Sequence, residues 1–395
     1  MKLLAISLLN ACLAAAPAWA EPLLLEHPDE LIVDDHLSLQ QVVDSSFEKY
    51  PPAALIQAYE EEASALEQRS SSWIAGFPMI YLQYIDDALI SNRGVSEIQS
   101  GYQVPVWMWG QKEASQKVTD DAKKAAERYS IALRLELSGL IRDSLWNLKV
   151  MENRHELARQ IHEVAEKLVA VVQRRVELGD LAKADLLLAE SDQLEKKTAL
   201  VMAEVGVMHA RKSYQNLTRM NRVPRNFEEG ITNQKTLDER HPSMAAANAS
   251  VERAQSEVDL TRLSKQGNQP TVLLGTDSTS VDRPHNYGTG TNVVFQIPIG
   301  GDAWNAPQVA QANVVLNEKI MQRETLWRQL EKALHEAQHS LEVDKAALAI
   351  AQRRKSIAET QLNMSKIAFE AGEIALIDYL KIQAGAQAAI RDAAE

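Results

Sequence analysis

The chain of 395 residues is poor in the residues that most enzyme and binding-module readings need. Cys12 is its only cysteine, which excludes disulfides within the chain and any thiolate metal cluster. Lys and Arg number 42 against 54 Asp and Glu, so the formal charge is −12 and nucleic acid is excluded as a partner. No run of residues approaches the ~20 apolar positions of a membrane-spanning helix. Proline is missing from 106–223 and from 308–395, so nothing in those stretches forces a break. A glycine-rich nucleotide loop is also missing, which removes the usual phosphate-binding enzymes and argues against a resident cofactor.

The N-terminus reads as a targeting segment over 1–20. Lys2 supplies the charge, Leu3 to Leu9 an apolar run, and Ala18-Trp19-Ala20 a small-x-small cleavage site before Glu21. Leu9-Asn10-Ala11-Cys12 loosely fits a lipid-attachment site, which makes Cys12 an alternative anchor. Removing residues 1–20 takes away Lys2 alone, so the exported balance is 41 − 54 = −13.

The sequence contains one unit twice. Gln103-Val104-Pro105-Val106 is followed, 74 positions after its proline, by Gly179-Asp180-Leu181-Ala182. Gln296-Ile297-Pro298-Ile299 is followed at the same 74 positions by Gly372-Glu373-Ile374-Ala375. Both signatures are offset by 193 residues, so the length between them is mechanically fixed. The repeats predict an extended leader at 21–38, a first repeat over 39–220, a linker at 221–240 and a second repeat over 241–395.

Each repeat predicts a helix, a β-hairpin and a long helical hairpin. The first helix starts near Leu39, breaks at Pro51-Pro52 and reaches about Ser71; its counterpart runs from His241-Pro242 to about Lys265. The hairpins fall at about 78–106 and 270–299, separated by polar loops that include Asn92 and Pro284. Ile80, Leu82 and Tyr84 alternate with Tyr81 and Gln83, and Val293, Phe295 and Ile297 alternate with Asn292, Val294 and Gln296. Four strands cannot close a barrel alone, and open edges are untenable in a bilayer.

Everything else reads as helix. Leu133, Leu137, Leu140, Ile141, Leu145 and Leu148 recur at helical spacing. Some 70 residues of helix are about 105 Å long, too long for a globular interior, and must lie in a coiled-coil array. Gly179 and Gly372 sit at the ends of the long legs, where a left-handed residue reverses the chain. Asp180 and Glu373 read as acidic starters of the returning helices, and Asp185 and Asp378 lie beyond those cap positions. Glu395 maps onto Met202, so the second returning helix is expected to be some 17 residues shorter than the first.

Targeting segment, paired hairpins, duplicated long helices and tips with an aspartate six positions after the glycine resemble the outer-membrane efflux protein (TolC) family over about 39–395. The resemblance implies a mainly α chain with a small β part. Three copies would form an α-barrel from the helical hairpins and a 12-stranded transmembrane β-barrel from four strands per chain. It implies a homotrimer in the outer membrane of a Gram-negative cell, in contact with its lipid and extending into the periplasm. Its expected partners are a periplasmic adaptor and a proton-driven inner-membrane transporter. The chain would be a passive exit duct, not an enzyme.

By the same resemblance Asp185 and Asp378 mark a gate. The position three beyond Asp378 is Lys381, where the family has a second ring residue; Phe369 replaces a tyrosine of the gate, and Ile374 replaces an arginine. Arg174 and Arg175 match basic residues before the first tip, and Arg175, Gly179, Asp180, Gly372 and Glu373 would receive the adaptor. Tyr102, Trp107, Trp109 and Trp304 read as an aromatic belt at the membrane interface. Trp107-Met108-Trp109-Gly110-Gln111 resembles the heavy-metal-efflux branch and implies metal cations as cargo.

Two other classes compete. A periplasmic adaptor or scaffold would use the helical hairpins without a membrane barrel, although two full copies exceed what an adaptor needs. His335-Glu336-Ala337-Gln338-His339 is a literal H-E-x-x-H, the pattern of a zinc peptidase. The longer zinc motif would need glycine at 342 and histidine at 345, but Glu342 and Lys345 stand there, so His335 and His339 are better read as a polar helix face.

Overall fold

The computed structural model describes residues 30–87, 93–232, 234–264, 269–282 and 286–394. The targeting segment with Cys12, the first part of the leader, Asn92, Lys265 and Pro284 lie outside the described residues. The chain begins with β1 (Ile32–Asp34), α1 (Leu39–Phe47), a 3-10 turn at Pro51–Ala53 and α2 (Ala54–Ser71). It continues through β2 (Met79–Asp86), β3 (Arg93–Pro105), α3 (Gln111–Glu177) and α4 (Lys183–Thr218). After β4 (Arg222–Pro224) the order repeats: α5 (Pro242–Leu263), β5 (Thr271–Asp282), β6 (Gly288–Gln296), α6 (Asp302–Glu370) and α7 (Leu376–Ala394). The fold is mainly α with a small β part.

Local chemistry explains where the elements start and stop. Ser38 and Gln41 form a reciprocal capping box: the Gln41 amide donates to Ser38 Oγ at 3.2 Å, and the Ser38 amide to Gln41 Oε1 at 2.9 Å. Tyr50-Pro51-Pro52 then ends one helix, and α2 starts after the turn. The two longest helices have 67 and 69 residues, about 100 Å each. Each is entered through a glycine in the left-handed region, Gly110 at φ +73° and Gly301 at φ +89°. Strand β6 stops at Gln296, although the alternation continues to Ile299, because Pro298 cannot donate to a ladder.

The four strands β2, β3, β5 and β6 form one antiparallel sheet in that order, so the two hairpins join through β3 and β5. The sequence reading counted four strands; the described chain has six. Strands β1 and β4 pair in parallel, Val33 opposite Val223, which ties the leader to the linker. Arg225 bonds Asp35 and Arg222 approaches Asp34 at 3.6 Å, holding the same seam. A run of three residues has too little alternation to be legible as a strand.

The helices share three cores. Val42, Leu137, Ile141, Leu145 and Tyr214 pack α1, α3 and α4 together with the linker. Ala254, Val258 and Leu316 join α5 to α6. Val172, Ala189, Phe369, Leu376 and Tyr379 join the tips of both hairpins. Between the repeats, Arg253 forks onto Glu62 at 2.6 and 3.0 Å, a bidentate bond that locks α2 to α5.

Candidate functional site

Two regions have unusual chemistry: the tips of the helical hairpins and the four-stranded sheet. The tips are built identically. Gly179 has φ +84° and Gly372 φ +78°. The Gly179 amide donates to the Val176 carbonyl at 3.1 Å and the Asp180 amide to that of Arg175 at 2.8 Å. In the second copy Gly372 donates to Phe369 at 3.0 Å and Glu373 to Ala368 at 2.8 Å. These paired bonds are a Schellman motif, which satisfies the last carbonyls of each long helix and needs a residue tolerant of positive φ.

The acidic tip residues fall into different roles from those the sequence suggested. Asp180 and Glu373 do not start the returning helices; their backbone closes the Schellman turn, and α4 and α7 begin three residues later, at Lys183 and Leu376. Nor do Asp185 and Asp378 lie beyond the cap. Each sits in the first turn of its returning helix, and the Asp185 carboxylate accepts from the Ala182 amide at 3.2 Å. The difference is the short extended segment between glycine and helix, which sequence alone does not measure. Lys381 stands 3.6 Å from Asp378, an exposed pair that offsets part of that carboxylate's charge.

Arg175 crosses from one hairpin to the other. Its Nη1 donates to the Phe369 carbonyl at 2.9 Å, and its guanidinium lies 5.3 Å from the Phe369 ring centroid. Phe369 is almost fully buried and stacks on Tyr379, with ring centroids 5.2 Å apart. Burial, and then the charge of Glu370, push the Tyr379 phenol above its ordinary pKa. Arg175 was expected on the docking surface; here it joins the two tips, while Arg174 pairs with Glu177 at 3.3 Å on its own helix. Tyr379 was not singled out by the sequence, and only its place in the helical apolar pattern could have flagged it.

The sheet has two unlike faces. In its register Ile80, Tyr102, Leu274 and Val293 form one row across all four strands, and all four are exposed. Leu82, Tyr84, Ile98, Val272 and Phe295 share that face. The opposite face is the more polar: Gln83, Gln99, Gln103, Glu97, Asp277 and Asn292 lie on it, interspersed with Ile85, Leu273 and Val294. Gly101 faces Gly275 at the centre of the polar side. A Cβ on Gly275 would stand 2.5 Å from the Ser100 carbonyl and 2.7 Å from Asn292 Oδ1, and one on Gly101 would stand 2.9 Å from the Leu274 carbonyl. Such close approach leaves no room for a side chain at either position, so both strands need glycine there.

The aromatic residues at the strand–helix junction divide. Tyr102, Trp109 and Trp304 expose their rings; Trp109 is 92% exposed. Trp107 does not join them: it is half-buried and its Nε1 donates to the Ser72 carbonyl at 3.0 Å. Trp73 and Phe77, which the sequence reading passed over, are exposed beside the same junction. His335 and His339 are both exposed on α6, and among the described residues no three His, Cys, Asp or Glu side chains are placed to hold a metal.

No protein-family profile and no curated protein matches the sequence. Solved structures do match. The outer membrane protein VceC of Vibrio cholerae is 14% identical with a TM-score of 0.69, covering 90% of this chain and 91% of its own. The CmeC outer membrane channel of Campylobacter jejuni is 16% identical with a TM-score of 0.67, covering 99% and 90%. The open state of the MtrE outer membrane channel of Neisseria gonorrhoeae is 15% identical with a TM-score of 0.64, covering 93% and 86%. At these identities the likeness speaks for the fold. The chain has the fold of the outer-membrane channel structures.

Proposed function

We propose that three copies of this chain form a passive duct through the outer membrane, the exit component of a tripartite efflux pump. The sheet carries the reading. It has an exposed, more apolar face, a more polar face and two open edges, on β2 and β6. An apolar face of this extent in water is an aggregation site, and an open edge in lipid leaves backbone groups unpaired. Pairing β6 of one copy with β2 of the next removes both problems, and three copies of four strands give a 12-stranded barrel.

The helices support the same assembly. Val164, Val171 and Leu178 on α3, Leu187, Leu194 and Val201 on α4, and Val343, Ile350, Ile357 and Met364 on α6 recur every seven residues, yet each is 45–70% exposed in the single chain. Ala165 and Val172 of α3, Ala189 of α4 and Phe369 of α6 are already buried within the chain, so these exposed stripes are faces for neighbouring helices. Exposed Trp73, Phe77, Trp109 and Trp304 would lie at the periplasmic interface of the outer membrane. The tips, far from the sheet, are the place for a periplasmic adaptor and, behind it, a proton-driven inner-membrane transporter. The resemblance of 107–111 to the heavy-metal branch extends the proposal to metal cations as cargo; a metal-sensitivity profile unchanged by deletion of the gene removes that part.

The duct reading is tested at the tips. Proline at 179 or 372 cannot take the positive φ found there, so Gly179→Pro and Gly372→Pro should abolish export while the protein still reaches the outer membrane. Normal export by either variant would contradict docking at the tips. The scaffold alternative leaves the exposed apolar sheet face without a role.

A further inference from the structure

The inner face of the sheet is selective in charge as well as in polarity. Among the described residues whose side chains the structure places, Glu97 on β3 and Asp277 on β5 carry the only charges on that face. They lie diagonally across one strand pair: Glu97 is opposite Thr279, and Asp277 opposite Gln99. Gln99 Nε2 donates to Glu97, and Thr279 Oγ1 donates to Asp277 at 3.2 Å, so local hydrogen bonds orient both carboxylates without neutralising them. Both side chains are half-buried within a single sheet, whereas the apolar row on the other face is exposed. Gly101 and Gly275 lie one same-face row from Gln99 and Asp277, and in a closed barrel whose more apolar side meets lipid this face lines the lumen.

We infer that Glu97 and Asp277 make the barrel portion of the duct a charge filter that favours cations, independent of the carboxylates at the tips. The inference rests on the duct reading. In a closed barrel two carboxylates from each of three copies give six at one level of the lumen, a fixed negative charge that draws cations and repels anions. No lysine or arginine among the placed side chains of these four strands opposes them. Asp378, by contrast, has Lys381 beside it.

The experiment is the reversal potential of the full-length protein in planar bilayers under a potassium chloride gradient. It is made for the wild type, for Glu97→Gln with Asp277→Asn, and for Asp378→Asn. Each is also recorded with Arg175→Ala, so that a closed tip does not hide the barrel. The wild type should favour potassium over chloride, and the double barrel variant should lower that ratio by about threefold or more. Asp378→Asn should change it less. An unchanged ratio in conducting double-variant channels overturns the filter and leaves the duct standing. Absence of conductance from the wild type and from Arg175→Ala overturns the duct and the filter with it.

Discussion

At the scale of the residue, the tips depend on contacts between positions nearly two hundred apart in sequence. Arg175 looked like a surface cation because local sequence gives it no partner; its partner is the Phe369 carbonyl in the other repeat. The Phe369 position was legible, but its burial was not, since the ring is covered by the first hairpin as well as by its own. A charged hydrogen bond of this kind contributes about 1.5–3 kcal/mol, and truncating a buried phenylalanine costs about 3–5 kcal/mol. Arg175→Ala and Phe369→Ala should therefore speed hydrogen exchange around 366–381, with exchange around Leu137 and Tyr214 unchanged. Uniform change in both regions would mean that the tips are not a separate unit. Tyr214 makes a second residue-scale prediction. Burial pushes its phenol up to about 12, and its hydroxyl donates to the Arg222 carbonyl at 2.9 Å. The neutral form is the one that fits, so its stabilisation is complete below pH 10 and is lost as pH rises toward 12. Tyr214→Phe should remove that alkaline step and cost about 1 kcal/mol at neutral pH by denaturant titration.

At the scale of the element, sequence was most informative where a rule repeats. The absence of proline over 106–223 and 308–395 and the regular apolar spacing marked the long helices, although α6 starts earlier and takes in Pro307 near its N-terminus; the positions of Gly179 and Gly372 marked their ends. The β1–β4 pairing escaped because its register is set by contacts between leader and linker. The starts of α4 and α7 were misplaced by three residues because the Schellman turn is followed by extended backbone. The exposed heptad stripes yield a clear element-scale prediction. Val171→Lys with Leu194→Lys should dissociate the assembly, since charges would replace apolar groups in a desolvated seam. Both positions are about half-exposed or more in the single chain, so helical content by circular dichroism should stay the same. Loss of helical content together with dissociation would show instead that the stripe belongs to the fold of one copy.

At the scale of the whole molecule, the sheet and the second long helix are both left incomplete. Helices α5 and α7 pack on the two ends of α6, whose residues 331–350 are almost all exposed, and the sheet ends in the open edges of β2 and β6 with its more apolar side exposed. The alternation in the sequence showed that each hairpin has two faces. It could not show that β3 joins β5, because that pairing brings together two glycines from different repeats, Gly101 and Gly275. On the duct reading association and membrane insertion would be a single event, because the open edges of β2 and β6 gain partners only as a barrel closes. The most direct measurement is therefore mass and location together, by membrane fractionation followed by light scattering of the detergent-extracted protein. The duct account predicts an outer-membrane complex of three chains; a soluble periplasmic monomer would contradict it.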